Sequence, residues 1–262
     1  MTDVVVVEER SRARILRINR PSVYNALNAE TLTALGDAVR AAVGTPGVRA
    51  VVITGTGEKA FSAGADLDEL SGLDAERAGI VLGAGQRILA EIEHSPVPVI
   101  AAVNGLALGG GFELVLASTF AVLSTNASFA LPESGLGLIP GYGGTQRLSR
   151  VVGPAVAAHM MLTGSRMSAS RAYELGLTPL EPVEPADLIQ AALDVADTVA
   201  ARGPRAHAAI LRALRVGAPS PQDLAFETAL AAVATGSAEA REGVGAFQEK
   251  RSAEFPDPTE GW

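Results

Sequence analysis

The chain has 262 residues, 48% of them apolar, and a formal net charge of -8. That length suits one large domain, or a domain with a helical tail; the acidic balance excludes a broad footprint on a nucleic-acid backbone, and no window approaches the ~18 unbroken apolar residues of a membrane span. With no cysteine, disulfides, thiolate nucleophiles and zinc–thiolate sites are excluded.

The acidic start, Met1-Thr2-Asp3, lacks an export leader, so a cytoplasmic enzyme is expected. Residues 4–8 and 12–19 are β-branched, partly alternating runs around the polar Glu9-Arg10-Ser11, which predicts a hairpin. Asn28 is placed to cap a helix whose apolar positions Leu32, Leu35, Val39, Ala42 and Val43 follow helical spacing until Gly44. The apolar run 48–54 predicts a strand covered on both faces, as in a parallel sheet. Gly55-Thr56-Gly57-Glu58-Lys59-Ala60 then matches a dinucleotide-binding pattern. We reject it, because that fingerprint leads straight into a helix, whereas Phe61-Ser62-Ala63-Gly64 continues as a loop. Asp66 is placed to cap the next helix. Residues 71–85, rich in glycine and acidic side chains, are expected to form a mobile segment over a pocket, merging into a helix from Val81.

The short apolar run 97–103, ended by Gly105, predicts a buried strand. The triplet Gly109-Gly110-Gly111 follows and opens a helix over 112–117. Its amides carry no side chains and, at a helix start, have no intrahelical partner, which favours a developing anion. Glu113, in the first turn, lies near that anion site or caps the helix. Residues 120–123 and 128–130 predict short strands around the turn Ser124-Thr125-Asn126, and Leu131-Pro132-Glu133 brings a second glutamate. The glycine-dense stretch 135–148 is costly in chain entropy, which points to backbone lying close to a ligand. Beyond Gly153-Pro154 the composition turns to Ala-rich helices over 155–162, 168–175, 186–201, 205–216, 221–235 and 237–250, with an extended tail over 255–262. A core domain, 1–200, followed by a C-terminal helical region, 201–262, is therefore expected.

The residues alone suggest one chemistry. Ala65 and Gly110 would donate two backbone N–H groups to one oxygen, an oxyanion hole in which each donor is worth ~3 kcal/mol in the transition state. Glu113 and Glu133 would hold a water between them, one accepting its proton while the other, kept protonated by burial and like charge, donates to carbon. The competing reading leaves Glu113 as a helix cap and Glu133 as a turn residue. His94, His159 and His207 show no metal or triad spacing. Arg147, Arg150 and Arg166 are assigned to solvated helix ends, with some pairing to carboxylates.

Three stretches together carry a more specific signal: Phe61-Ser62-Ala63-Gly64-Ala65-Asp66-Leu67; Ala101-Ala102-Val103-Asn104-Gly105 through Gly109-Gly110-Gly111-Phe112-Glu113; and Leu131-Pro132-Glu133 through Gly141-Tyr142-Gly143-Gly144-Thr145-Gln146-Arg147. In this order they resemble the crotonase superfamily, and enoyl-CoA hydratase most of all. The resemblance spans the chain. It implies an α/β fold, a crotonase-like spiral of ββα units with a C-terminal helical trimerisation region, assembled as a homotrimer or homohexamer. It also implies a lyase of fatty-acid metabolism and β-oxidation acting on an acyl-CoA thioester, with coenzyme A as part of the substrate and no separate cofactor or metal. By motif position, Ala65 and Gly110 match the oxyanion donors, and Glu113 and Glu133 the pair that adds water to a 2-enoyl-CoA. Ala63, Asp66 and Leu67 match main-chain contacts to the CoA adenine and pantetheine, and Gly141 the loop beside the catalytic water. Phe247 and Lys250 match positions that reach a neighbouring subunit's CoA, with Lys250 as phosphate partner. A carnitinyl-CoA-like dehydratase, a 3-enoyl/2-enoyl-CoA isomerase and a catalytically silent acyl-CoA-binding protein are the alternatives. Ser22 stands where hydratases often carry a basic residue, and Tyr142 where the family usually has a small one.

Overall fold

A computed structural model describes residues 3–255. The fold grows from one repeated unit, two strands followed by a helix. The first unit is β1 (Val5–Arg10), β2 (Ala13–Ile18) and α1 (Ala29–Gly44). Its strands form the expected antiparallel hairpin, and Asn28 caps α1 by accepting from the Thr31 N–H. The second is β3 (Ala50–Gly55) and β4 (Ala60–Ser62), leading to α2 (Leu67–Leu70) and α3 (Ala75–Glu93). The third is β5 (Val99–Val103), β6 (Leu106–Leu108) and α4 (Gly110–Ala117). The fourth is β7 (Phe120–Leu123), β8 (Ser128–Ala130) and α5 (Gly144–Val152). Next come α6 (Pro154–Thr163), β9 (Met167–Ser168), α7 (Ala169–Glu174) and α8 (Leu188–Ala200). The described chain closes with α9 (Pro204–Leu214), α10 (Pro221–Thr235) and α11 (Ala238–Gln248).

From the second unit on, the two strands of a unit part company. Among the described residues one sheet runs β1-β2-β3-β5-β7 and the other β4-β6-β8-β9, so each unit adds one strand to each sheet and the chain spirals. The ββα spiral expected from the resemblance is thus present. Alternation along the first sheet explains its apolar runs. Leu16, Val51, Ile53, Val99 and Leu123 face the main core, whereas Ile15, Val52, Ile100 and Val122 pack on Leu188, Ala192 and Ala196 of α8. A sheet covered on both faces needs apolar residues at successive positions rather than at alternate ones.

The short strands expected over 120–123 and 128–130 are both present, and the turn between them joins strands of different sheets, since β7 bonds β5 and β8 bonds β6. Two expectations need correction. Residues 61–62, assigned to a loop, lie in β4, a strand too short to show periodicity. The segment 71–85 is mostly helical: Asp74 caps α3 by accepting from Arg77 N–H, and the buried Ala78 and Leu82 anchor it. The rejected dinucleotide pattern connects β3 to β4, with no helix after it. Two asparagines tie that connection down. Asn25 Nδ2 donates to the carbonyls of Thr56 (3.0 Å) and Ala60 (2.8 Å), and Asn104 Nδ2 to Gly57 (2.8 Å), which pins the turn's carbonyls although its tip is exposed. The tail prediction falls largely on 256–262, outside the described residues. No described helix is long and apolar enough to cross a membrane.

Candidate active site

The spiral brings the second, third and fourth units edge to edge, and the connections between their strands and helices meet at one cavity of about 380 Å³. Ala63, Ala65, Asp66, Leu67, Gly110, Glu113, Glu133, Gly141 and Phe247 all line it. Lys250 does not belong to this lining and is exposed, with a left-handed backbone (φ 56°) just past α11. The exposed Val23, Tyr24 and Phe247 mark the mouth, and the buried Leu82, Leu138 and Tyr142 the interior. Phe247 thus borders the cavity of its own chain.

Two backbone amides have no partner among the described residues. Leu27 bridges Ala65 in parallel register by donating to Gly64 O (2.8 Å) and accepting from Asp66 N (3.1 Å). In a parallel bridge the middle residue's own N–H points to the opposite side, so that of Ala65 turns away from Leu27. Gly110 is the first residue of α4, preceded by Gly109 with φ +48°, and its amide is one of the helix's orphan donors. The two backbones touch: a Cβ on Gly64 (φ +94°) would lie 3.0 Å from Gly110 N, and one on Gly110 would lie 3.3 Å from Ala65 N. Only glycine permits that approach.

Two carboxylates line the cavity beside this point, and a third lies behind one of them. Glu113, 1% exposed on α4, does not cap its helix; its Oε1 accepts from the amides of Tyr142 (2.8 Å) and Gly144 (2.7 Å). Burial, then the Glu227 and Glu133 carboxylates, push its pKa well up, and the Gly144 and Tyr142 amides pull it back. Glu133 begins the 3-10 turn Glu133–Leu136 and is half-buried as a residue. Its Oε2 is nevertheless fully buried and has no hydrogen-bond partner among the described residues. Burial pushes its pKa up to about 8. A Cβ on Gly109 would lie 2.9 Å from Glu133 Oε1, so the carboxylate rests against the glycine that precedes the free amide.

The third carboxylate, Glu227 of α10, escapes sequence reasoning. It is 1% exposed and accepts from Thr145 N (2.8 Å), from Gln86 Nε2 (3.3 Å), and at short range from Gly143 N and Thr145 Oγ1. The one signal in the sequence is a glutamate on the apolar face that Leu224 and Ala231 share. Arg147 pairs with a carboxylate, Glu93 (2.8 Å), as was expected of some of these arginines, but is buried rather than at a solvated helix end and also donates to Tyr142 O (2.6 Å). Breaking such a buried pair from one side costs ~3–5 kcal/mol. Asp66 caps α2 weakly through Asp68 N (3.3 Å) and pairs with Arg20 (2.9 Å), whose other bond goes to Ala26 O. Arg20, two residues before Ser22, is thus held against a residue of the lining, Asp66.

Tyr142 is buried at 3% exposure, and its ring fills space that two glycines leave open. A Cβ on Gly85 would lie 2.4 Å from Tyr142 Cε1, and one on Gly110 would lie 2.9 Å from Cδ2. The ring is therefore wedged between α3 and the start of α4, on the cavity wall.

Known proteins share this architecture. The family model described as enoyl-CoA hydratase/isomerase matches residues 9–258. A crotonyl-CoA hydratase of Syntrophomonas wolfei subsp. wolfei is 38% identical over 253 residues, 96% of this chain and 97% of the relative. Among solved structures, an enoyl-CoA hydratase from Mycobacterium avium subsp. paratuberculosis K-10 superposes with a TM-score of 0.86 at 28% identity, covering 97% of this chain and 99% of that one. A carnitinyl-CoA hydratase from Mycobacterium avium gives 0.83 at 37% identity, covering 97% and 99%. A spiral of ββα units, with the three motifs meeting at one cavity and a family match over nearly its whole length, makes this chain a member of the enoyl-CoA hydratase/isomerase family.

Proposed function

We propose that this chain is an enoyl-CoA hydratase that reversibly converts a trans-2-enoyl-CoA into a 3-hydroxyacyl-CoA. The observation that carries the reading is the convergence of two unengaged amides, Ala65 and Gly110, with the paired Glu113 and Glu133 on one cavity. The thioester oxygen sits between the two N–H groups, which favour the negative charge that develops as the conjugated system accepts a nucleophile. Glu113 acts as base. Burial and the neighbouring carboxylates raise its pKa, which makes its ionised form the stronger base, and the two amides at Oε1 support that form; it takes a proton as the oxygen of water bonds to C3. Glu133 acts as acid. Its unpartnered Oε2 favours the protonated form, and it delivers that proton to C2 as the enolate collapses. The proton left on Glu113 returns to Glu133 before the next turnover, so the net change is addition of one water, coenzyme A enters only as part of the substrate and no cofactor is consumed. Ala63, Asp66 and Leu67 flank the path of the CoA moiety toward the mouth.

The test is loss of the conjugated thioester's ultraviolet absorbance with short and long 2-enoyl-CoAs, run beside isomerisation of 3-enoyl-CoAs. Hydration of a 2-enoyl-CoA is expected; turnover of 3-enoyl-CoAs alone would mean an isomerase. Tyr142 suggests a short acyl chain, because its ring occupies the interior wall. Tyr142→Ala is expected to raise kcat/KM for an eight-carbon relative to a four-carbon substrate by about tenfold, the scale at which an apolar pocket discriminates methylenes. An unchanged ratio would remove Tyr142 from the acyl pocket.

Assembly and location follow the family resemblance: a homotrimer or homohexamer in the cytoplasm. The exposed apolar side chains Ile210 and Leu214 on α9, with Phe226, Leu230 and Val233 on α10, support a subunit interface on the C-terminal helices.

A further inference from the structure

We propose that Glu227 is a positioning residue of the active site: from the C-terminal helical region it fixes the backbone segment 142–145, and through that segment it fixes Glu113. The inference rests on the hydratase reading for its kinetic consequence and on geometry alone for its structural one.

Successive amides of 142–145 point alternately to two buried carboxylates. Those of Tyr142 and Gly144 donate to Glu113 Oε1, while those of Gly143 and Thr145 donate to Glu227, joined by the Thr145 hydroxyl. The segment is therefore strapped between an acid that faces the cavity and one that does not line it. Glycine is required at both inner positions. Gly143 has φ +98°, and a Cβ on Gly144 would lie 2.8 Å from Glu113 Oε1. Glu227 is itself anchored. Gln86 on α3 donates to it at 3.3 Å, and Thr228 fixes the Gln86 amide by donating to its Oε1 at 2.8 Å. Hydrogen bonds to a charged acceptor are shorter and about twice as strong as neutral ones, so the segment's shape depends on Glu227 as it does on Glu113.

The two acids also feel each other's charge. The titratable and charged groups around Glu227 are Glu113 on α4, Glu133 on the 3-10 turn, Arg147 on α5, and Tyr142 within the segment; Arg147 is partly occupied by Glu93 of α3. Glu227 raises the proton affinity of both Glu113 and Glu133. Removing its charge makes both stronger acids, so a limb of the pH profile set by either should move to lower pH. A residue that supports only the fold would leave that limb where it is.

The test compares wild type with Glu227→Gln in the full chain. Gln keeps the volume but places an NH2 against at least one amide donor that a carboxylate would accept. On crotonyl-CoA the expected result is a kcat lower by roughly 10- to 100-fold, within the range of a displaced acid–base group, a KM little changed, and the alkaline limb moved down. Amide hydrogen exchange over 142–145 should be faster. If Glu227→Gln folds and retains kcat, pH limb and exchange rates, the proposal is overturned. If the variant does not fold, Glu227→Asp keeps the charge but shortens the reach; lower kcat with faster 142–145 exchange supports the proposal, and neither change overturns it. Should wild type hydrate no 2-enoyl-CoA, the functional reading fails by itself. The exchange arm then decides, with unchanged 142–145 amides overturning the positioning role.

Discussion

Glu113→Gln and Glu133→Gln are each expected to lower kcat by about 10²–10⁴, the usual contribution of a positioned acid or base, while binding of a 3-hydroxyacyl-CoA persists. The two losses have different origins. At position 113, Gln keeps an oxygen for the Tyr142 and Gly144 amides but cannot accept water's proton. At position 133, it cannot deliver a proton to C2. The Glu133 pKa of about 8 sets the alkaline limb of the pH dependence. As general acid Glu133 must be protonated, and as base Glu113, whose pKa is also raised, must be ionised, so kcat/KM in the hydration direction should be bell-shaped, with an acid limb set by Glu113 and a fall as pH rises through about 8. The residual activity of Glu133→Gln should lack the alkaline limb.

Stability separates lost chemistry from lost fold. Glu133 has its pKa raised on folding, so between its ordinary value of 4.5 and about 8 the folded state binds more protons than the unfolded one. Its contribution to stability therefore falls as pH rises through that window. Replacing either buried acid by Gln should leave the melting temperature at neutral pH unchanged or higher. A variant with full activity at either position would remove that glutamate from the mechanism.

Gly64→Ala is expected to cost about 10²–10³ in kcat, the scale of a lost oxyanion donor, although neither donor's sequence position changes. At φ +94°, an added Cβ would meet Leu108 O at 2.6 Å, Gly110 N at 3.0 Å and Gly109 Cα at 3.3 Å. These are backbone atoms, which cannot swing aside as a flexible side chain does. The 64–65 and 108–110 backbones must separate, and the Ala65 and Gly110 amides then no longer meet on one oxygen. The change should fall on kcat more than on KM, because the interaction strengthens as charge develops. Gly135→Ala is the control: its Cβ meets nothing within 4 Å, so activity and stability should both be retained. Equal behaviour of the two variants would mean that the oxyanion donors lie elsewhere.

How much of this was legible depends on whether the signal was local. The strands β3, β5 and β7 of the five-stranded sheet announced themselves, because burial on both faces forces apolar residues at successive positions, as at Val51, Val52 and Ile53. Helix starts were legible where a side chain caps its own turn, as Asn28 does. The three-residue strands β4 and β6 were not, although β8 of equal length was. The start of α3 was also missed: its glycines lower intrinsic propensity, while packing against α10 and the Asp74 cap hold it helical. Arg147 and Glu227 were misread or unseen because a charge shows its burial only when its partners are in place. Those partners, Glu93 for the one and Thr145 for the other, lie 54 and 82 residues away.

The sequence by itself determined the family, the glycines that let two backbones touch, and the identity of the glutamates that enter the cavity, because each is written in a contiguous motif. The tertiary structure alone decided that Glu113 is held by the 142–145 amides rather than capping its helix, and that α10 supplies a third carboxylate behind that segment. Hydrogen bonds and like-charge repulsion act over a few ångströms of space. Their effect on a site appears only once the chain has folded those residues together.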